Sequence, residues 1–136
     1  MKSEGVFGKF FFRNEEYVYT IFRVIVGVVF ILNGLMKFGL SGKASVPLMS
    51  LMGLAGTIEV VGGTLIVIGL WTRFIAAIAG IEMIVAYIMA HAPHGWNPLV
   101  NGGEPAVLFF SAFLILLIYG GGKLTVERLI HKKELF

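Results

Sequence analysis

Hydrophobic residues fall into four long runs, at about residues 17–38, 48–70, 74–90 and 105–119. At roughly 20 residues per bilayer crossing, these runs predict four transmembrane helices. The stretches between them carry the breaks. Residues 39–47 hold Gly, Ser and Pro as turn residues. Trp71-Thr72-Arg73 predicts a short turn with an interfacial aromatic and a base. His91-Ala92-Pro93-His94-Gly95-Trp96-Asn97-Pro98 interrupts the third helix with two prolines and a glycine. Glu104-Pro105 opens the fourth run, proline suiting the first helical turn and a carboxylate the positive helix end. The glycines at 120–122 close it.

Polar and small residues are not scattered within the runs. Thr20, Arg23, Gly27, Phe30, Gly34 and Lys37 step by three and four, which makes one seam along the first helix. In the second, Gly56, Glu59 and Gly63 share a face, with Gly62 beside them. In the third, Ala79, Glu82, Ala86 and Met89 share a face. Small residues let membrane helices approach closely, so these faces should turn toward one another and not toward lipid. Outside the runs, Phe7, Phe10, Phe11 and Phe12 with Lys9 and Arg13 suit a segment at the membrane surface, rings at headgroup level and bases toward water. Residues 125–133 read as a short amphipathic tail helix. The expected fold is an all-α integral membrane four-helix bundle, one membrane domain over residues 1–136, with short surface helices at both ends.

Composition agrees. Of 136 residues, 57% are hydrophobic and 14% charged, against about a quarter charged in soluble domains. The chain has no cysteine, which excludes disulfides, thiol chemistry and Cys-ligated clusters. All eight acidic residues are Glu, so no Ser/His/Asp triad exists. The formal charge of +3 comes from bases flanking the spans, which suit anionic lipid headgroups and give no reason to expect a nucleic-acid partner. The N-terminal segment lacks the small-residue cleavage site of a secretory signal, and the apolar run after it is too long for one. Lys2, Lys9, Arg13, Arg73, Lys123, Arg128, Lys132 and Lys133 fall on one side of the membrane, and Lys37 and Lys43 on the other. By the positive-inside rule both termini are expected in the cytoplasm, in a multi-pass protein of the cell membrane.

Ionisable groups inside a membrane are costly and point to function. Arg23, Glu59 and Glu82 are placed in the middle third of the bilayer and form the candidate catalytic set. Asn33, Lys37, His91, His94, Asn101 and Glu104 collect at the outer mouth, as candidate cofactor-binding residues. Arg23 is expected either to partner a buried carboxylate or to snorkel to the near surface. Lys37, at the end of its span, is expected to snorkel. Two carboxyls with one guanidinium hold one net negative charge, and a carboxyl poised in this way can exchange a proton, as quinone reduction in a membrane requires. The same residues also suit a structural ion pair without turnover. His91 and His94, even with Glu104, make an incomplete metal-ligand set, so no metal site is expected. Haem would need an axial ligand inside the bundle. Gly122-Lys123-Leu124 lacks the spacing and the hydroxyl of a phosphate loop.

The ordered set Arg23, Gly27, Asn33-Gly34, Lys37, then Gly56, Glu59, Gly62-Gly63, Gly69, Thr72-Arg73, then Asn101-Gly102-Gly103-Glu104, then the glycines at 120–122 with Lys123, resembles the DoxX family of small four-span membrane proteins. Members often carry His where Asn33 stands. The resemblance implies a membrane four-helix bundle and a link to quinone-coupled oxidation, since the family is named for a subunit of a thiosulfate:quinone oxidoreductase. Three functional readings follow. One is a quinone-linked oxidoreductase subunit, with quinone as cofactor and other membrane subunits as partners. Another is a non-enzymatic accessory or assembly subunit, packing through Phe109, Phe110, Phe113, Leu116 and Leu117 of the fourth span. The third, a small-solute carrier, is disfavoured by four short spans without evident internal repeats.

Overall fold

The computed structural model describes residues 5–132. Lys2 and Lys133, which enter the charge asymmetry, lie outside them. Among the described residues six α-helices follow in order: α1 (Val6–Arg13), α2 (Glu15–Lys37), α3 (Leu51–Ile68), α4 (Thr72–Ala86), α5 (Glu104–Tyr119) and α6 (Val126–His131). No strand occurs among the described residues. Among the described residues three apolar stretches are long enough to cross a membrane: Glu15–Lys37, Leu51–Ile68 and Thr72–His94. The fourth, Glu104–Tyr119, is shorter, at 16 residues, or about 24 Å of helix. The chain is a multi-pass membrane protein.

The ends of these helices follow local chemistry. Ser50 caps α3, its hydroxyl accepting from the Gly53 amide at 3.0 Å. Left-handed Gly69 closes α3, with the Leu70 amide bonded back to the Leu65 carbonyl at 2.9 Å. The turn into α4 is therefore Gly69-Leu70-Trp71, and Thr72 and Arg73 already belong to the helix.

The break expected at His91 is gentler than two prolines and a glycine suggest. Helical winding continues beyond α4 as a π-turn over Tyr87–His91 and then a 3₁₀ turn over Ala92–His94. Pro93 sits in the first turn of that 3₁₀ segment, where its missing amide costs nothing. The π-turn also alters which residues face inward. Thr72, Ala76, Ala79, Gly80 and Met83 form the buried face of α4. Met89, expected on the inward face, lies exposed, because the wider turn shifts its register.

The bundle is held first by backbone contact between α2 and α3. A Cβ on Gly27 would stand 2.8 Å from the Gly63 carbonyl oxygen, and one on Gly63 would stand 2.7 Å from that of Gly27. A Cβ on Gly34 would stand 2.7 Å from the Gly56 carbonyl oxygen. The seam read from the sequence is this antiparallel contact, with Arg23, Gly27, Phe30 and Gly34 buried along it. Packing continues from α3 to α4 and from α4 to α5, while the α2 and α5 backbones stand farther apart and meet through large side chains. The Phe30 ring fills the centre, 4.8 Å edge-on to Phe113 and 5.3 Å from Phe109. Phe113 and Leu116 are thus spent inside the bundle and are not available as an outer packing surface. Tyr19 donates to the Gly120 carbonyl at 2.5 Å and Lys123 pairs with Glu16 at 3.1 Å. The start of α2 and the end of α5 therefore lie at one end of the bundle, here the terminal end; the opposite end is the loop end.

Candidate functional site

The antiparallel register of α2 and α3 builds the site. Gly34 lies against Gly56 and Glu59, so the last turn of α2 is level with the middle of α3. Lys37 turns back from that last turn and its ammonium donates to Glu59 Oε2. Asn33, one turn earlier, donates from Nδ2 to Glu59 Oε1 at 2.9 Å. Both carboxylate oxygens are thereby held, and Glu59 is only 1% exposed. Gly56 leaves room for this: a Cβ there would stand 2.9 Å from the Phe38 ring and 3.5 Å from Lys37 Cβ. Lys37 does not snorkel away, because its partner lies deeper than the end of its own helix.

Glu82 approaches from α4. It is half-buried and within electrostatic reach of both Glu59 and Lys37. Its Oε2 is buried and has no hydrogen-bond partner among the described residues. Ile81 and Val85 on either side of it are 63% and 41% exposed, so Glu82 sits where the interior meets the lipid-facing surface. The Lys37 side chain, 21% exposed, lies toward the loop end. The three ionisable groups thus run from the loop end through a sealed centre to the lipid side. Two carboxyl groups around one ammonium leave one charge uncompensated if both are ionised. A single proton removes it.

Arg23 belongs elsewhere. On the same register it is level with Val67, two turns of α3 and about 12 Å from Glu59, so it is not the carboxylate's partner. Nor does it snorkel: it is 2% exposed. Its guanidinium donates to the Gly121 carbonyl, to the Leu124 carbonyl at 2.9 Å and to the Val67 carbonyl at 3.3 Å. Thr72, Thr125 and Glu127 are buried as well. A Cβ on Gly69 would stand 2.8 Å from Thr125 Cβ and 3.0 Å from Arg23 Nη1, which shows how tightly this end is closed. Sequence reading missed Thr72, Thr125 and Glu127. The signal was present only in part: Thr125 is an N-cap, its hydroxyl accepting from the Arg128 amide at 3.2 Å, but nothing local marks Glu127 as buried.

The residues expected at the outer mouth do lie at the loop end, but they divide. Asn33 and Lys37 join Glu59. Asn101 instead organises the loop after α4, donating to Gly95 O at 2.6 Å and Tyr87 Oη at 3.2 Å and accepting from the Gly103 amide at 2.8 Å. His91 Nδ1 is 3.1 Å from the Asn101 carbonyl oxygen. Tyr87, in the π-turn, donates to the Trp96 carbonyl at 2.6 Å. His94 is exposed. Glu104, also exposed, borders an apolar groove between α2 and α5 lined by Ile25, Val29, Leu108 and Phe109. His91, His94 and Glu104 do not converge on one point, and among the described residues no three His, Asp or Glu side chains could hold a metal together.

Comparison with known proteins gives a consistent picture. A family model described as DoxX matches residues 18–92, which contain both polar clusters except for the C-terminal segment. An uncharacterized protein of Haemophilus influenzae is 34% identical over 132 residues, covering 89% of this chain and 96% of the relative. A second uncharacterized protein of that organism is 35% identical over 74 residues, 54% of this chain and 49% of the relative. The putative oxidoreductase CatD of Bacillus subtilis is 29% identical over 126 residues, 88% of this chain and 92% of the relative. No solved structure matches.

Proposed function

This chain belongs to the DoxX family of membrane proteins, and from that premise we propose that it is the membrane subunit of a quinone-linked oxidoreductase. A quinone takes up two electrons and two protons on reduction, and releases them on oxidation; the electrons come from, or go to, a partner subunit or a small redox substrate. This chain handles the protons. Glu82, at the lipid side, is the group that meets the ring. Glu59 passes protons between it and the loop end. Lys37 and Asn33 hold the Glu59 carboxylate in place and keep its charge tolerable in the membrane.

The observation that carries this reading is the unpartnered, buried Glu82 Oε2 beside the Lys37–Glu59 pair. A structural ion pair needs only the Lys and one Glu. The second carboxyl adds a cost with no packing gain, and such groups in membrane segments mark pathways. The name of the Bacillus subtilis relative, a putative oxidoreductase, supports the same class of chemistry.

Native mass spectrometry of the protein, extracted gently from its own membrane, tests this. The expected result is a bound quinone that is lost from Glu82→Gln while the folded mass and helicity remain. Stoichiometric partner chains with no quinone in either protein would overturn it and leave an accessory or assembly subunit, with Lys37–Glu59 as a structural pair.

A further inference from the structure

A carboxyl group that passes protons on must be resupplied, yet Glu59 is closed to water at 1% exposure. On the α2 side, a Cβ on Gly34 would stand 2.9 Å from Glu59 Cβ. Toward the loop end, one turn before Glu59, a Cβ on Gly56 would stand 2.9 Å from the Phe38 ring. Two side chains reach the carboxylate through these walls. Asn33 donates to Oε1 at 2.9 Å and Lys37 to Oε2. A carboxamide does not ionise, so Asn33 holds its oxygen but cannot resupply a proton. An ammonium can. The Lys37 side chain is 21% exposed, and among the described residues its ammonium has one hydrogen-bond partner, Glu59 Oε2. Its remaining N–H bonds are left for water at the loop end.

We propose that Lys37 is a proton relay: its ammonium, with Glu59 on one side and loop-end water on the other, resupplies the sealed carboxylate. The inference rests on the proton role proposed for Glu59 and Glu82. Once Glu82 has given up its proton, two carboxylates face one ammonium. A Lys37 N–H bond then breaks as an O–H bond forms on Glu59 Oε2, which leaves a neutral amine and a carboxylic acid. Glu59 passes that proton to Glu82, and the amine takes a proton from loop-end water. Each cycle moves one proton from water to Glu82 and returns Lys37 and Glu59 to their starting charges. The reverse sequence carries a proton out. A neutral amine beside a neutral acid has no buried charge, so the transferred state escapes the desolvation cost of the ion pair. Asn33, by occupying Oε1, leaves Oε2 as the atom that accepts. Lys37 is thus a positioning residue that also carries the proton, and it acts through Glu59.

Lys37→Arg separates the relay from the ion pair. A guanidinium keeps the charge and can hold Glu59, but it releases a proton at least about a hundredfold less readily than an ammonium. The readout needs no quinone. Infrared spectroscopy of the full chain in mild detergent, moved into heavy water, follows deuteration of the carboxylic-acid C=O band that Glu82→Gln removes. In Lys37→Arg this deuteration should slow by at least about tenfold relative to the wild type, with the melting temperature nearly unchanged. Lys37→Ala empties the space beside Glu59, and added methylamine should restore fast deuteration there while guanidinium at equal concentration should not. Equal deuteration rates in the wild type and Lys37→Arg, or rescue of Lys37→Ala by guanidinium as well as by methylamine, would overturn the relay and leave Lys37 as a holding charge. So would the absence of the acid band from the wild type. The outcome separates from that of the quinone reading. Slow deuteration in Lys37→Arg of a protein that binds no quinone keeps the relay and removes the quinone. Full quinone turnover in Lys37→Arg, with Glu82→Gln inactive, overturns the relay alone.

Discussion

Lys37 and Glu59 form an ion pair across the α2–α3 contact, the cation coming from the last turn of one helix and the carboxylate from the middle of the other. The pairing exists because Gly34 and Gly56 bring the two backbones together at that level. It leaves one side of the pair at the loop end and the other sealed in the bundle.

Removing the cation should therefore be costly. Lys37→Met strands a buried carboxylate that keeps only the Asn33 hydrogen bond. We expect a loss of about 3 kcal/mol, typical of a broken buried pair. Glu59→Gln should cost less, because an amide needs no cation, and the double variant should be more stable than Lys37→Met alone. Thermal melting of the three variants in one detergent checks this. Additive losses would mean that the pair contributes no coupling.

The α2–α3 contact itself should reject the smallest side chain. Gly34→Ala places a methyl 2.7 Å from the Gly56 carbonyl oxygen and 2.9 Å from Glu59 Cβ, so the helices must separate and the ion pair must stretch. Gly80→Ala is the contrast, since its Cβ would make ordinary contacts at 3.8 Å and beyond with Phe110 and Phe113. We expect Gly34→Ala to lower the melting temperature and Gly80→Ala to hold or raise it, an exchange worth up to about 1 kcal/mol in a helix. Equal effects at the two positions would contradict the close contact.

Arg23 should act on the C-terminal segment and not on the carboxylates. Its planar guanidinium reaches three carbonyls, of Val67, Gly121 and Leu124, at once. A lysine ammonium is a single point charge and cannot reproduce that fork. Arg23→Lys should accelerate hydrogen exchange in residues 120–131 and leave α4 unchanged. Protection lost around Glu59 instead would place Arg23 back in the carboxylate site.

The helices were legible in the sequence because a bilayer sets their length and small residues mark the faces that meet. The seam through Arg23, Gly27, Phe30 and Gly34 and the face carrying Gly56, Glu59 and Gly63 are both buried in the structure. Periodicity gives a face, however, and not a level. Arg23 and Glu59 share the α2–α3 contact but stand two turns apart, while Lys37, which reads as a terminal snorkelling residue, is the one at the height of Glu59. The π-turn at Tyr87–His91 leaves no local mark, since it arises where Tyr87 reaches out to Trp96 and Asn101. Glu127 reads as part of a surface helix, and its burial depends on the Gly69 turn, to which its own amide is bonded at 3.4 Å.

The most direct measurement of the proposed function is quinone-dependent turnover of the complex purified with wild-type protein and with Glu82→Gln. The substitution keeps size and hydrogen-bonding capacity but cannot carry a proton. If Glu82 exchanges protons with the quinone, turnover should fall by about a hundredfold, as for loss of a general acid or base, with the melting temperature unchanged or higher. Full turnover in Glu82→Gln, in a complex that is active with the wild-type chain, would contradict the account.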